Sequence, residues 1–440
     1  MSGLRRACFA AALAASAAAC VPSSPRNRSD IADALRERSG YSVGAYRDKA
    51  SIPAGVTLAD GLSAEETVAL ALWNNARLQA TLAQLGLSKA DLFRAGEIPN
   101  PVVSIFFPVG PKQLEWTARW SLDWLWRRPF RVAAAKLDVE RVAHTLVAAG
   151  LDTVRQARDA HAQAAFAEQR QKLLEVSAKT WQSVADLVAS RLRAGAASLF
   201  EVTAAQSDAR VAAVTASQHA RTVAMRRAEL REVINLPRGA ARRKLPAVLA
   251  PRAPADRSVD IAALTRRALS SRPEVLAAKV AIVRAGKAAR LAVAQIFTIV
   301  GGLDSNAQGR EGFELGPAAD ITLPIFNQNQ AGRQRARSEL RQATWTYAAI
   351  ARQVRREVAV AAHRFEAARA AIVAWRLSVL QPLELNLVRG TKAYKAGAAS
   401  YLQVLDATRK LVDARLRRLQ LQLEQQLSFH ALCRAVGRRL

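Results

Sequence analysis

"EWTARWSLDWLW", residues 115–126, holds four of the chain's eight tryptophans in a protein whose aromatic content is only 6%. Trp116, Trp120, Trp124 and Trp126 share one parity with Ala118 and Leu122. Glu115, Thr117, Arg119, Ser121 and Asp123 share the other, with Leu125 the one apolar exception. Successive side chains leave a strand on opposite sides, so this period of two predicts a β-strand with one apolar and one polar face. Such a face must touch something apolar, and the flanking sequence reads as helix.

The chain has 440 residues, half of them apolar, and a net charge of +29 from 65 Lys and Arg against 36 Asp and Glu. Charge of that size suits nucleic acid or an anionic surface. The basic residues are nevertheless dispersed along helical stretches as Arg–Arg and Arg–x–x–Arg pairs, the pattern of a solvated helix face. Cys8, Cys20 and Cys433 have no metal-ligand or disulfide-framework spacing. His144, His161, His219, His363 and His430 are scattered, and are read as helix-surface residues rather than ligands. There is no P-loop and no GxSxG. The expectation is a protein that is not an enzyme, with no cofactor and no metal site.

The first twenty residues, "MSGLRRACFAAALAASAAAC", place Arg5 and Arg6 before a short apolar run, as a secretory signal does. The run ends in Ala17–Ala18–Ala19–Cys20, which resembles a bacterial lipoprotein cleavage box; Cys20 would then be acylated. An ordinary cleavage nearby, with an incidental cysteine, is the other reading. Residues 21–61 are expected to be an extended tether. No later stretch reaches the roughly 18 apolar residues that a spanning helix needs, so a membrane would have to be entered as a β-barrel.

The chain repeats itself. "RLRAGAASLFEV" (191–202) matches "AYKAGAASYLQV" (393–404), and "ALALWNNARLQA" (69–80) parallels "RRALSSRPEVLAA" (266–278). Two repeats, 62–245 and 246–440, are joined by the Pro- and Arg-rich stretch 237–258. Each reads as a helix, a strand pair and a long helical hairpin. In the first, Ser63 and Glu66 form a capping-box pattern opening a helix to about Gly96. Strands are expected at 100–110 and 115–126. The proline-free span from Phe130 to Leu236 then predicts helices of about 60 and about 40 residues broken near Gly195. In the second, a helix at 258–295 precedes strands at 296–304 and 312–326 and helices at 331–392 and 400–436. Val354, Val358, Ala361 and Phe365 belong to one coiled-coil seam, and Val412, Leu416, Leu419, Leu423 and Leu427 to another. Gly195 and Gly397 break these helices where a tight reversal needs positive φ.

Several stretches together, "LSAEETVALALWNNARLQA", "IPNPVVSI", "DITLPIFNQNQAGRQRARSEL", the paired "AGAAS" elements and "YLQVLDATRKLVDARL", resemble the TolC-type outer-membrane efflux family, and most resemble its heavy-metal-associated lipoprotein members. The resemblance implies a mainly α fold with a small membrane β-barrel: a homotrimer in which each protomer gives four strands to a shared twelve-stranded barrel and its coiled-coil helices to a periplasmic tunnel. Trp116, Trp120, Trp124 and Trp126 would then meet outer-membrane lipid and its headgroup boundary; the competing reading is a soluble hairpin packed on helices. A passive channel is implied, joined through a periplasmic adaptor to an inner-membrane pump of the RND type. Gly195, Ala196, Ala197 and Ser198, with Gly397, Ala398, Ala399 and Ser400, would contact the adaptor. Asp406 would stand in a carboxylate ring at the periplasmic entrance, where the family's first aspartate is replaced by Gln403 and Glu201 supplies charge from the other repeat. A paired helix-surface carboxylate is the plain alternative for Asp406. Type I protein secretion shares this fold, and a coiled-coil scaffold binding nucleic acid is the reading from a different class; the efflux reading takes no nucleic acid as partner.

Overall fold

The computed structural model describes residues 22–44, 50–57, 61–107, 109, 114–236, 259–307 and 313–440. The export segment 1–20 with Cys20, and the linker 237–258, lie outside the described residues. Helix α1 (Arg28–Ser39) comes first. In the first repeat α2 (Ala64–Asn74), α3 (Ala76–Leu82) and α4 (Gln84–Gly96) lead into β1 (Val102–Phe106) and β2 (Leu114–Ser121), then α5 (Trp124–Arg193) and α6 (Leu199–Ile234). In the second, α7 (Ile261–Ser271) and α8 (Pro273–Ala294) lead into β3 (Ile299–Ala307) and β4 (Phe313–Ile321). There follow α9 (Gln330–Trp375), a π-helical turn (Arg376–Leu380), α10 (Gln381–Lys395) and α11 (Tyr401–Val436). Helix, strand pair and helical hairpin thus recur in the same order.

Four local expectations are corrected. The tryptophan strand ends at Ser121, and Trp124 and Trp126 lie in α5. Asp123 ends it: its carboxylate accepts from the Ile299 amide at 2.7 Å and pairs with Arg127 at 2.7 Å, while its carbonyl takes the Arg127 amide into the first helical turn. Pro129 therefore sits inside α5, near its start, where few intrahelical bonds are forfeited. The single helix expected at each repeat's start is broken, at Asn75 in the first and Arg272 in the second. Asn75 leaves helical geometry and its side chain accepts from the Leu78 amide at 3.1 Å; Arg272 precedes Pro273, which disfavours helical backbone. The tether 21–61 contains α1, whose Ile31 and Leu35, one turn apart, are both buried. The helix expected at 331–392 holds a π turn just before Pro382, whose missing N–H leaves a carbonyl that the wider turn accommodates.

The chain divides into two compact units. Met1–Ile31, Thr81–Val147 and Pro273–Arg352 form one. Its sheet runs β1-β2-β3-β4, antiparallel throughout, so the two repeats meet at the β2–β3 pair. α5 is pinned to the sheet's base by its first turns: the Trp126 indole donates to Ala294 O at 3.1 Å, Arg127 donates to Phe297 O, and Arg128 donates to Gly96 O at 2.8 Å. These arginines satisfy carbonyls at helix ends, which a solvated-face reading of the basic pairs does not anticipate.

Ala32–Ala80, Ala148–Arg272 and Gln353–Leu440 form the other unit. Its core is built from small residues, Ala157, Ala162, Ala164, Ala165 and Ala362 among them, which let helices approach closely. Gly150 of α5 carries this furthest: a Cβ there would lie 2.6 Å from the methyls of Leu35, so α1 can dock only on a glycine. The expected seam of α9 is buried at Val354, Val358, Ala361 and Phe365. That of α11 is displaced. Val404, Leu411, Ala414 and Leu421 are buried, whereas Val412, Leu416, Leu419, Leu423 and Leu427 remain half-buried, on a helix that is apolar on more than one side. His161 and His430 are also corrected: both are buried, not on the surface.

Candidate functional site

The strand pairing sorts the sheet into two faces. Residues directly paired across antiparallel strands project to the same side. Val103 and Ile105 pair with Ala118 and Trp116; Trp116, Ala118 and Trp120 pair with Ser305, Leu303 and Gly301; these pair with Leu315, Pro317 and Ala319. One face is therefore apolar across all four strands, save Ser305. The other carries Glu115, Thr117, Arg119, Asp304, Glu314 and Asp320, with Arg119 and Asp320 3.9 Å apart. Val102 and Phe106, on this second face, depart from the pattern. Val103, Ile105, Trp120, Leu303 and Leu315 are exposed, so among the described residues this apolar face is largely uncovered, with Ser305 buried. Trp120 lies 6.0 Å from Trp124 ring to ring, and its N–H donates to Pro99 O at 2.7 Å. Trp116, Trp124 and Trp126 are half-buried; Trp120 and Trp124 meet at the end of β2 that leads into α5, while Trp116 lies near the strand's other end.

The two hairpin tips, at Gly195 and Gly397, are the same motif built twice. Gly195 has φ +72° and Gly397 φ +79°. The Gly195 amide donates to Leu192 O at 2.9 Å and the Ala196 amide to Arg191 O at 2.8 Å; the Gly397 amide donates to Tyr394 O at 3.0 Å and the Ala398 amide to Ala393 O at 2.9 Å. This is the Schellman termination, and it satisfies carbonyls that a helix end otherwise leaves bare. A capping residue restarts the next helix three positions on. Ser198 accepts from the Glu201 amide at 3.2 Å while Glu201 accepts from the Ser198 amide at 2.8 Å. At the other tip the Ser400 amide donates to Gln403 Oε1 at 3.2 Å. Gly195, Ala196 and Ser198 are exposed, as are Gly397, Ala398 and Ser400, whereas Ala197 and Ala399 pack on a core of Trp181, Val202, Tyr394 and Val404.

The structure thus gives Glu201 and Gln403 equivalent roles, as reciprocal caps. Asp406 is exposed and pairs with Lys410 one turn on, at 2.7 Å. Two tip contacts were not foreseen. Arg191 donates to Tyr394 O at 2.9 Å and stacks over its ring, and Arg409 pairs with Asp208. The available signal was the mismatch between repeats, where "RLRAGAAS" faces "AYKAGAAS". Among the described residues, no group of three His, Cys, Asp or Glu is placed to hold a metal ion, and no helix is long and apolar enough to cross a membrane.

Residues 264–438 match the family described as outer membrane efflux protein. The second repeat is therefore similar to an outer membrane efflux protein unit. Over 99 residues, 22% of this chain, the sequence is 33% identical to the cobalt-zinc-cadmium resistance protein CzcC of Cupriavidus metallidurans. That match spans 24% of the relative's length. The likeness of fold extends over nearly the whole chain: CusC superposes with a TM-score of 0.72 at 19% identity, covering 91% of this chain and 99% of CusC. The outer membrane protein VceC of Vibrio cholerae gives 0.70 at 19% identity, covering 85% and 96%.

Proposed function

We propose that the chain is the outer-membrane channel of a tripartite efflux system, a passive conduit and not an enzyme. The observation that carries this reading is the sheet, with one apolar face continuous through four strands and with β1 and β4 as open outer edges. Hydrocarbon tolerates no unpaired strand edge, and four strands are too few to close a barrel in one chain. Three protomers of four strands each would give a closed barrel of twelve, apolar outside and polar within, as membrane barrels require. The half-buried leucines of α11 fit helix packing between copies. The helices would then extend into the periplasm, with Cys20 as an acyl anchor.

Of the small residues Gly195, Ala196, Ala197 and Ser198, with Gly397, Ala398, Ala399 and Ser400, only Ala197 and Ala399 are half-buried. They offer matching seats for the helical hairpins of a periplasmic adaptor, which would link the trimer to an inner-membrane pump of the RND type. Asp406 would border the entrance, one turn beyond Gln403 in α11, with Glu201 at the position of α6 that matches Gln403. Its pairing with Lys410 lowers the net charge such a ring would carry. The name of the matched relative, a cobalt-zinc-cadmium resistance protein, favours metal cations as the cargo.

Fractionation of the full-length protein, followed by light scattering in detergent, tests the channel. A trimer extracted from the outer membrane with conductance in planar bilayers is expected; a soluble monomer overturns the reading. Loss of the gene should lower tolerance to cobalt, zinc or cadmium more than tolerance to organic dyes.

A further inference from the structure

A cleft in the unit that holds the hairpin tips is lined by six arginines, Arg38, Arg155, Arg158, Arg434, Arg438 and Arg439, and by no carboxylate. The cleft is small and open to solvent.

The fold builds this cluster deliberately from three elements. α1 supplies Arg38, whose guanidinium donates to Ser271 O at 2.6 Å. α5 supplies Arg155 and Arg158 one after the other on its facing side. α11 supplies Arg434 and then stops at Gly437, φ +80°, where the Arg438 amide donates back to Cys433 O at 3.2 Å. That reversal returns the chain to α1, and the Arg439 amide donates to Arg38 O at 2.7 Å. Arg438 and Arg439 are therefore held by backbone bonds and do not trail as a loose tail.

Carboxylates behind the lining answer part of the charge. Asp152 takes Arg434 in a two-pronged pair at 2.7 and 2.9 Å. Asp159 is shared by Arg155 at 3.4 Å and His430 at 2.9 Å. Cys433 is buried among them, and burial pushes its thiol up, so it stays neutral and offers no counter-charge. Guanidinium groups cannot shed their protons, so the charge that Asp152 and Asp159 leave unanswered favours entry of an anion. The neutral Tyr41 hydroxyl that Arg158 meets does not offset it. Their forked donors match the oxygens of a phosphate group.

We propose that this cleft binds a phosphate-type oxyanion, held chiefly by Arg158, Arg438 and Arg439. It uses no residue of the sheet or of the tips, and does not depend on the channel reading. Free phosphate and a phosphate ester carried on a larger molecule share this chemistry. An ion here would tie α1 to the C-terminal end of α11.

The test uses full-length protein in detergent, titrated calorimetrically with sodium phosphate at constant ionic strength and, separately, with a soluble short-chain phosphatidic acid. Saturable binding of inorganic phosphate identifies the free ion as sufficient; binding of the phosphatidic acid alone identifies the esterified group. Arg438→Ala with Arg439→Ala is expected to weaken whichever binds by about ten-fold or more. Arg337→Ala with Arg341→Ala, an equal charge loss on the exposed side of α9, should leave it unchanged. If the double variant fails to fold, Arg439→Lys, which keeps the charge and removes the fork, should still weaken binding several-fold. Binding of neither probe, or equal weakening in both arginine pairs, overturns the site.

Discussion

The guanidinium of Arg191 lies 4.3 Å above the ring of Tyr394 and donates to the Tyr394 carbonyl at 2.9 Å, so one side chain ties the two hairpin tips together. The same carbonyl accepts from the Gly397 amide, which places Arg191 against the bond that closes the second reversal. Arg191→Ala removes the stacking and the charged hydrogen bond, a local loss of about 1–2 kcal/mol. Faster amide exchange at Gly397 and Ala398 is the expected result, with exchange in the sheet unchanged. Arg191→Lys should recover only part of the protection, because an ammonium cannot stack as a planar group does. Unchanged exchange in both variants would mean the tips are held by the Trp181–Val202 core alone.

Gly195 and Gly397 should respond alike to substitution. Neither would meet another atom within 4 Å if a Cβ were added, so the cost of alanine is that of positive φ alone, about 1–2 kcal/mol at each. Thermal unfolding of the single and double variants checks this. The departure of the double variant from additivity measures the coupling that Arg191 carries between the two turns. An Asn at either position should cost less than Ala, because it tolerates the left-handed region better.

Gly150 fails for the opposite reason: it is helical, and space is the constraint. Gly150→Ala puts a methyl 2.6 Å from the Leu35 methyls, and Leu35 is fully buried and has nowhere to go. Overpacking of this kind costs about 1–3 kcal/mol, despite alanine's better helix propensity. Protease nicking within α1 should rise. Leu35→Ala placed beside Gly150→Ala should restore part of the docking, and a double-mutant cycle on unfolding measures that coupling.

What could be read from sequence follows from how local each signal is. The duplicated order of helix, strand pair and hairpin was legible because periodicity and the paired "AGAAS" turns are short-range. The glycines and the Ser63–Glu66 cap were legible for the same reason. The end of the tryptophan strand was not. Trp124 and Trp126 continue the alternation, and the bond from Ile299 to Asp123, 176 residues away in sequence, helps to end the strand there. The seam of α11 was misplaced because its leucines are distributed around the helix, so spacing alone does not choose the buried stripe. His161 and His430 were read as surface residues because the groups that meet them, Leu62 O and Asp159 respectively, are far away in sequence.

His161 makes stability depend on pH. Burial, first, pulls its imidazole below the ordinary value of 6.5, with His430 acting in the same direction; the bond to Leu62 O at 2.9 Å and the charges of Glu65 and Glu168 oppose this. Its Nδ1 is buried with no partner, so the native state holds the neutral ring and the unfolded chain takes up the proton first. The contribution is therefore complete above the unfolded value and is lost as pH falls below about 6.5 toward the lowered native value. Unfolding followed from pH 8 to pH 5 should show a fall in stability over that interval. His161→Gln, which can still donate to Leu62 O, should flatten it; an unaltered slope would assign the effect to other groups.

The two faces of the sheet should answer oppositely to charge. Ala118 lies on the apolar face between Trp116 and Trp120, and Thr117 on the polar face beside Asp304. If the apolar face meets lipid, Ala118→Arg costs about 2–4 kcal/mol near the bilayer midplane and less toward either boundary. Thr117→Arg lies on the side that would face water and gains Asp304 as a directly paired neighbour, so it should be tolerated. The measurement is the fraction of each variant recovered as trimer from the outer membrane. Loss for Ala118→Arg with retention for Thr117→Arg is expected. Equal recovery of both would remove the lipid from the tryptophan face and leave a hairpin packed on protein, because only a solvent with no hydrogen bonds to offer distinguishes the two sides so sharply.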